Sequence, residues 1–247
     1  MPFDLSIVLP CYNEEGNLPE LIQRLDEMVA GKSIEVVLVN NGSLDGSAQV
    51  FERELSRRVH HEQFKLVTIA KNVGYGHGIL TGLRSAAGRI LSYTHADLQC
   101  DPRNVLAAYQ LYLETEKQPG QESGEFLVKG RRQDRREEEK LLSHNLDRLA
   151  SFIMRGPMID INGQPKMFAR AFFEKYLGDA PLDLTLDVYL MARALRQGWA
   201  VKTVPVEFGV RKAGTSSWNT TLASRLKMAT RFVLTVFKAR LRTLRKG

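Results

Sequence analysis

Tyr93-Thr94-His95-Ala96-Asp97-Leu98-Gln99-Cys100-Asp101-Pro102 is the stretch on which the fold turns. Ahead of it, Arg89-Ile90-Leu91-Ser92-Tyr93 is short and apolar, the pattern of a strand inside a sheet. Behind it, Pro102 sits where a helix can begin and Asp101 is a candidate N-cap. Val105, Leu106, Tyr109 and Leu113 are expected on one face of that helix. Polar groups therefore gather in a turn at the carboxyl end of a strand, where open α/β sheets hold their ligands. Asp97 and Gln99, two residues apart on extended chain, point the same way and are candidate ligands of one hard cation. The plainer alternative is an Asx turn followed by a capped helix.

Working outward, the same unit of strand and polar turn repeats. Leu5-Ser6-Ile7-Val8-Leu9-Pro10 is nearly all apolar, as expected of a strand covered on both faces, and runs into Cys11-Tyr12-Asn13-Glu14-Glu15. Leu18, Leu21, Ile22, Leu25, Met28 and Val29 then recur with helical period as far as Gly31. Residues 34–39 predict a second buried strand, 40–46 a turn in which Asp45 starts a helix, and 64–70 a third strand. Asn72-Val73-Gly74-Tyr75-Gly76-His77-Gly78 precedes a helix through Leu80, Leu83 and Ala87. Its glycines lack dinucleotide spacing and signal close backbone approach alone. After a polar loop at 114–124 come a strand at 126–130, a charge run at 131–140 and a helix through Leu141, Leu142, Leu146, Leu149 and Ile153. Helices near 170–177 and 185–197 and a strand at 200–207 complete the pattern. Strands alternating with helices predict a Rossmann-like α/β fold, its mostly parallel sheet covered by helices on both faces.

The 247 residues suit one large domain with an appendage. Cys11 and Cys100 have no metal-ligand spacing and suggest no disulfide framework, so a reducing compartment is expected. The start reads straight into a strand rather than a signal peptide, and no apolar run reaches the ~18 residues of a spanning helix. The net charge of +7 is unevenly spread: no acidic residue follows Glu207, whereas Arg211, Lys212, Arg225, Lys227, Arg231, Lys238, Arg240, Arg242, Arg245 and Lys246 do. The basicity belongs to a tail.

Eight segments, in order, resemble the family 2 inverting glycosyltransferases of GT-A fold, and among them the dolichyl- or polyprenyl-phosphate sugar synthases. They are Ile7-Val-Leu-Pro-Cys-Tyr-Asn-Glu14, Val39-Asn-Asn-Gly-Ser-Leu-Asp-Gly46, Asn72-Val-Gly-Tyr-Gly76, Ala96-Asp-Leu-Gln-Cys-Asp-Pro102, Val128-Lys-Gly-Arg-Arg132, Asp160-Ile-Asn-Gly-Gln-Pro-Lys-Met-Phe168, Gly198-Trp-Ala-Val-Lys-Thr-Val-Pro-Val206 and Arg211-Lys-Ala-Gly-Thr-Ser-Ser217. The resemblance implies a nucleotide-sugar donor clamped by Pro10, Tyr12 and Glu14, with Ala96 in the same cradle. Asn41 stands where the family usually has an Asp reading the base. Asp97 and Gln99 carry over as ligands of Mg²⁺ or Mn²⁺ and of the diphosphate, and Arg132 and Arg211 as phosphate contacts. Asp187 aligns with the family's late acidic motif, which makes it, with Asp97 and Arg132, a catalytic candidate and the general base where one is needed, with Asp183 in reserve. Either acid has a plainer reading as a cap of the 185–197 helix, and that reading is favoured for Asp183. His77 and His144 read as ordinary polar or packing residues.

Two departures stand out. His95 replaces the first acid of the usual Asp-Ala-Asp triplet, and imidazole suits Mn²⁺ better than Mg²⁺. Ser217 stands where a Lys is usual. The chemistry implied is inverting transfer, with charge on the leaving diphosphate offset by cation and arginine. A general base is needed only for a hydroxyl acceptor.

Residues 1–218 are expected to form the GT-A domain and 219–247 a basic amphipathic helix. Leu222, Leu226, Ala229, Val233, Val236, Phe237, Leu241 and Leu244 make its apolar stripe. Such a helix either packs on its own domain or lies on an anionic membrane, and the two can coexist. No aromatic residues interleave with the charges as nucleic-acid binding would require. The expectation is an enzyme at the cytoplasmic membrane face, with a lipid-linked acceptor. The leading acceptor is a polyprenyl phosphate and the runner-up a glycolipid or polysaccharide hydroxyl. A non-catalytic nucleotide-sugar binder is the alternative from another class.

Overall fold

The computed structural model describes residues 2–119, 124–133, 147–209, 230 and 232–241. In chain order the elements are β1 (Phe3–Cys11), α1 (Leu18–Val29), β2 (Ile34–Asn41), α2 (Ser47–Leu55), β3 (Phe64–Ile69), α3 (Tyr75–Ser85), β4 (Gly88–Tyr93), α4 (Asn104–Glu116) and β5 (Phe126–Gln133). Helical residues 147–154 (α5) follow, then β6 (Lys166–Ala169), α6 (Arg170–Tyr176), α7 (Leu186–Arg196), β7 (Ala200–Glu207) and a last helix, α8, at 230 and 232–241.

The strands form one sheet in the order β3-β2-β1-β4-β6-β5-β7. β6 pairs antiparallel with both its neighbours, and every other pairing is parallel. Alternation along β1 explains why its sequence is apolar throughout. Leu5, Ile7 and Leu9 enter the core beneath α1, α2 and α4, and Val8 enters the core beneath α3 and α7. The same alternation sends Ile34, Val36 and Leu38 one way and Val37 and Val39 the other. From β1 the chain steps outward to β2 and β3, then crosses back to β4 on the other side of β1, so the switch point lies between β1 and β4.

Four expectations need correction. The buried face of α4 is Val105, Ala108, Tyr112 and Thr115, while Leu106, Tyr109 and Leu113 are only part-buried beside it. The helix is rotated because the tyrosine it buries is Tyr112, packed 4.5 Å from the Phe126 ring. Also, α4 runs on to Glu116, into the expected loop, and β5 continues to Gln133, since pairing with β7 carries it through Arg131 and Arg132. The tail stripe divides. Val236 and Ala239 join the core under α7, whereas Phe237 and Leu241 are 50% and 57% exposed. The tail helix is thus docked on the domain in its described part. His144, Arg211, Ser217 and the segment from Leu222 to Ala229 lie outside the described residues.

Candidate active site

The turns after β1 and β2 are knitted together by five hydrogen bonds. The Asn13 amide donates to Ser43 Oγ (3.1 Å), the Leu44 amide to Asn13 Oδ1 (2.8 Å) and the Glu14 amide to Ser47 Oγ (3.2 Å). The Glu15 amide donates to Asp45 Oδ2 (3.2 Å) and the Gly46 amide to Glu15 Oε2 (2.9 Å). Asn13 takes a left-handed φ of 56° to make this possible. Short polar residues here satisfy backbone groups that a sheet end leaves unpaired. The result is a rigid rim with Tyr12 on its exposed side, while Glu14 is buried and bonded to Asn17.

The turn after β4 carries Ala96, buried, with Asp97 and Gln99 part-buried. Asp97 Oδ1 accepts the Gln99 amide at 3.2 Å. Gln99 is tied to the end of β7 by two bonds, from the Gly209 amide to its carbonyl (2.8 Å) and from Nε2 to the Gly209 carbonyl (3.3 Å). Phe208, next in the chain, lies under the Arg132 guanidinium, 5.2 Å from ring centre to Cζ. Arg132 and the turn after β4 are thereby brought to one side of the sheet's carboxyl end. Arg132 is itself held by Asp160, which accepts its amide (2.7 Å), Nε (2.9 Å) and a terminal nitrogen (2.6 Å). Burial opposes the charge on Asp160, but the Arg132 guanidinium and Lys129 hold its carboxyl below the usual range.

Beneath this turn is a buried network of which sequence reasoning picked out Asp187 but not the partners that hold it. Asp187 Oδ1 accepts the Tyr93 hydroxyl (2.6 Å) and pairs with Lys166 Nζ (2.8 Å). Lys166 also donates to the Gly163 carbonyl (3.3 Å) and lies 5.5 Å from the Tyr93 ring centre. Tyr75 OH accepts from Gln164 Nε2 (3.1 Å), and its ring lies 5.9 Å from that of His95. Burial, then the charge of Asp187, pushes both phenols well above their ordinary range, so both stay protonated. Burial also pulls Lys166 down, against the attraction of Asp187. Lys129 Nζ is ringed by the carbonyls of Gly130, Ile159 and Asp160, and burial lowers it to about 7. A signal was present: lysines in the apolar runs Phe126–Gly130 and Pro165–Phe168 need buried partners.

Other expected residues fall elsewhere. Asn41 is buried under the glycine loop, donating to the Gly74 carbonyl (3.1 Å), with its Oδ1 unpartnered. Asp183 is exposed and accepts the Thr185 amide (2.9 Å), so it closes an Asx turn before α7 rather than capping the helix as expected; the N-cap position is Thr185, with no side-chain cap hydrogen bond. His77 donates its amide to the Leu182 carbonyl. Gly74 makes that contact possible: it has φ 146°, and a Cβ there would sit 2.5 Å from the Leu182 carbonyl oxygen.

The residues present fit a divalent cation that takes most of its ligands from a bound diphosphate. Among the described residues no three His, Cys, Asp or Glu converge as a metal group. Asp97 offers its second oxygen, and Gln99, its nitrogen turned to Gly209, offers Oε1. Burial pulls His95 below its ordinary value, keeping a neutral imidazole beside them, a donor mix suited to Mn²⁺.

A mostly parallel sheet with a polar turn after β4, beside its switch point, is the architecture of a ligand-binding doubly wound α/β protein. The sequence model for glycosyl transferase family 2 matches residues 6–177, and the chain belongs to that family. The undecaprenyl-phosphate 4-deoxy-4-formamido-L-arabinose transferase of Pseudomonas aeruginosa is 36% identical over 109 residues, 42% of this chain and 31% of that one. The Klebsiella pneumoniae protein of the same name is 34% identical over 105 residues, 41% of this chain and 31% of its own. The match thus spans about a third of the length of these relatives. Two solved structures share the fold. A mannosyltransferase from Pyrobaculum calidifontis, in complex with GDP-Man and Mn²⁺, has TM-score 0.62 at 19% identity, covering 98% of this chain and 75% of that one. Glucosyl-3-phosphoglycerate synthase from Mycobacterium tuberculosis, in complex with Mn²⁺, UDP-Glc and phosphoglyceric acid, has TM-score 0.68 at 14% identity, covering 96% and 80%. The fold is GT-A.

Proposed function

We propose that this chain transfers one sugar, with inversion, from a nucleotide-diphosphate sugar to a polyprenyl phosphate at the cytoplasmic face of a membrane. The observation that carries the reading is the gathering of Asp97, Gln99 and Arg132 at one crevice, linked through Phe208 and Gly209. The names of the relatives supply the acceptor class. Tyr12 and the rim after β1 and β2 receive the nucleoside, and Asn41 lies behind them. Asp97, with Gln99 and His95, would hold Mn²⁺ or Mg²⁺, which stabilises charge on the departing diphosphate. Arg132, fixed by Asp160, adds positive charge at the same place, and Arg211 is proposed to do so from the segment after β7. Positioning of donor and acceptor supplies the rest.

Membrane contact is assigned to α8, and two features support it. Leu234, Phe237 and Leu241 face away from the domain that Val236 and Ala239 bury against. A cavity of about 200 Å³ is lined by Met154, Ala192 and Leu195 together with Arg155, Arg196 and, from α8, Arg240. Among the described residues no helix is long and apolar enough to cross a membrane.

The test is an incubation with a panel of nucleotide sugars, Mn²⁺ and undecaprenyl phosphate. A glycolipid product and free nucleoside diphosphate are expected, with Asp97→Asn about 10²–10³-fold slower. A product on a lipid hydroxyl would select the runner-up. Donor binding without any diphosphate release would leave a binding protein.

A further inference from the structure

We propose that Asp187 is a positioning residue, the buried counter-charge that holds Lys166 beneath the β4 turn, and that the acceptor therefore arrives already ionised. This rests on the sugar-transfer reading above and narrows it. A general base must present a carboxylate oxygen to a substrate proton. Asp187 is 3% exposed, and its Oδ1 already takes both the Tyr93 hydroxyl and the Lys166 ammonium, at 2.6 and 2.8 Å. Lys166 has no exposed surface, so its charge is tolerated through this carboxylate, the Gly163 carbonyl and the Tyr93 ring. The pair joins α7 to the first residue of β6 and, through Tyr93, to the last residue of β4. His95 and Asp97 follow within four residues, so the pair buttresses the turn that holds the diphosphate.

Among the described residues, three other acids are engaged as well. Asp160 carries Arg132 through three hydrogen bonds, and Asp101 accepts from Arg24 and Arg103. Asp183 is turned to the Thr185 amide. An acceptor phosphate monoester needs none of them. Its oxygen attacks the sugar anomeric carbon, the bond from that carbon to the donor phosphate oxygen breaks, and the electron pair leaves with the nucleoside diphosphate. The acceptor dianion becomes a diester monoanion and the diphosphate gains the charge, so no proton is removed. A hydroxyl acceptor would have to lose one.

The experiment is a double-mutant cycle of Asp187→Asn and Lys166→Met in the full chain, read by melting and by the pH profile of kcat, with Asp183→Asn in parallel. Each single variant is expected to lower Tm and turnover, and the double variant to recover part of both losses. The acidic limb of the kcat profile should persist in Asp187→Asn and in Asp183→Asn. Additive losses in Tm, measurable without any activity, overturn the pairing. A 10²–10⁴-fold loss of kcat in Asp187→Asn that Lys166→Met does not relieve, with the acidic limb gone, makes Asp187 the base and overturns the proposal. So does transfer to a hydroxyl acceptor by the unaltered protein, whereas absence of transfer to either acceptor, with the Tm coupling intact, removes the sugar-transfer reading alone.

Discussion

At the residue scale, the site depends on charges placed where water does not reach. Asp160 is 2% exposed and satisfies Arg132, so removing its charge strands a half-buried guanidinium. Asp160→Asn is expected to cost about 3–5 kcal/mol at pH 7 in urea denaturation. The sign with pH follows from its lowered carboxyl. Its contribution is complete above the unfolded value near ~3.9 and is lost as pH falls through the lower folded value. The stability gap between wild type and Asp160→Asn should therefore narrow toward pH 2, and a constant gap would refute the assignment. The sequence motif contained Asp160 and Lys166 but not their partners. Pairing of Asp187 with a lysine 21 positions earlier depends on β6 and α7 meeting, which periodicity does not encode.

At the element scale, β1, β2 and β4 could be read from sequence because strands buried on both faces are apolar runs. Rotation of α4 could not, because Leu106, Tyr109 and Leu113 form as good an apolar stripe as the one it buries. The decision lay with the Tyr112–Phe126 contact across elements. β5 and the loop before β6 meet with no room for a side chain. A Cβ on Gly130 would lie 1.9 Å from the Gln164 carbonyl oxygen. Gly130→Ala should cost about 3 kcal/mol and displace the segment that delivers Lys166, lowering Tm and turnover together. A variant with wild-type melting would show that the two backbones are not in contact.

At the scale of the whole molecule, the tail is part of the core on one side and unmatched on the other. Truncation would strip Val236 and Ala239 from the core beneath α7 and so confound folding with attachment. Substituting the outward residues separates the two. Leu234→Ser, Phe237→Ser and Leu241→Ser together should leave Tm near that of wild type and abolish flotation with anionic vesicles. Wild-type attachment should weaken between about 0.1 and 1 M salt, as the screening length falls from roughly 10 to 3 Å. Equal flotation of both proteins would remove α8 from the membrane contact.

The reversed strand has a further consequence, for motion. β6 meets β4 over four register pairs and β5 over two, against seven between β1 and β2 and eight between β5 and β7. The ladder is thinnest in the middle of the sheet, directly under the Lys166–Asp187 pair. A sub-global opening breaks fewest backbone bonds by parting there, leaving β3-β2-β1-β4 as one cooperative unit and β5 with β7 as another. Native-state amide exchange should then find Val37 protected to the global limit and Met167 released earlier, with β6 acting as the seam between two foldons.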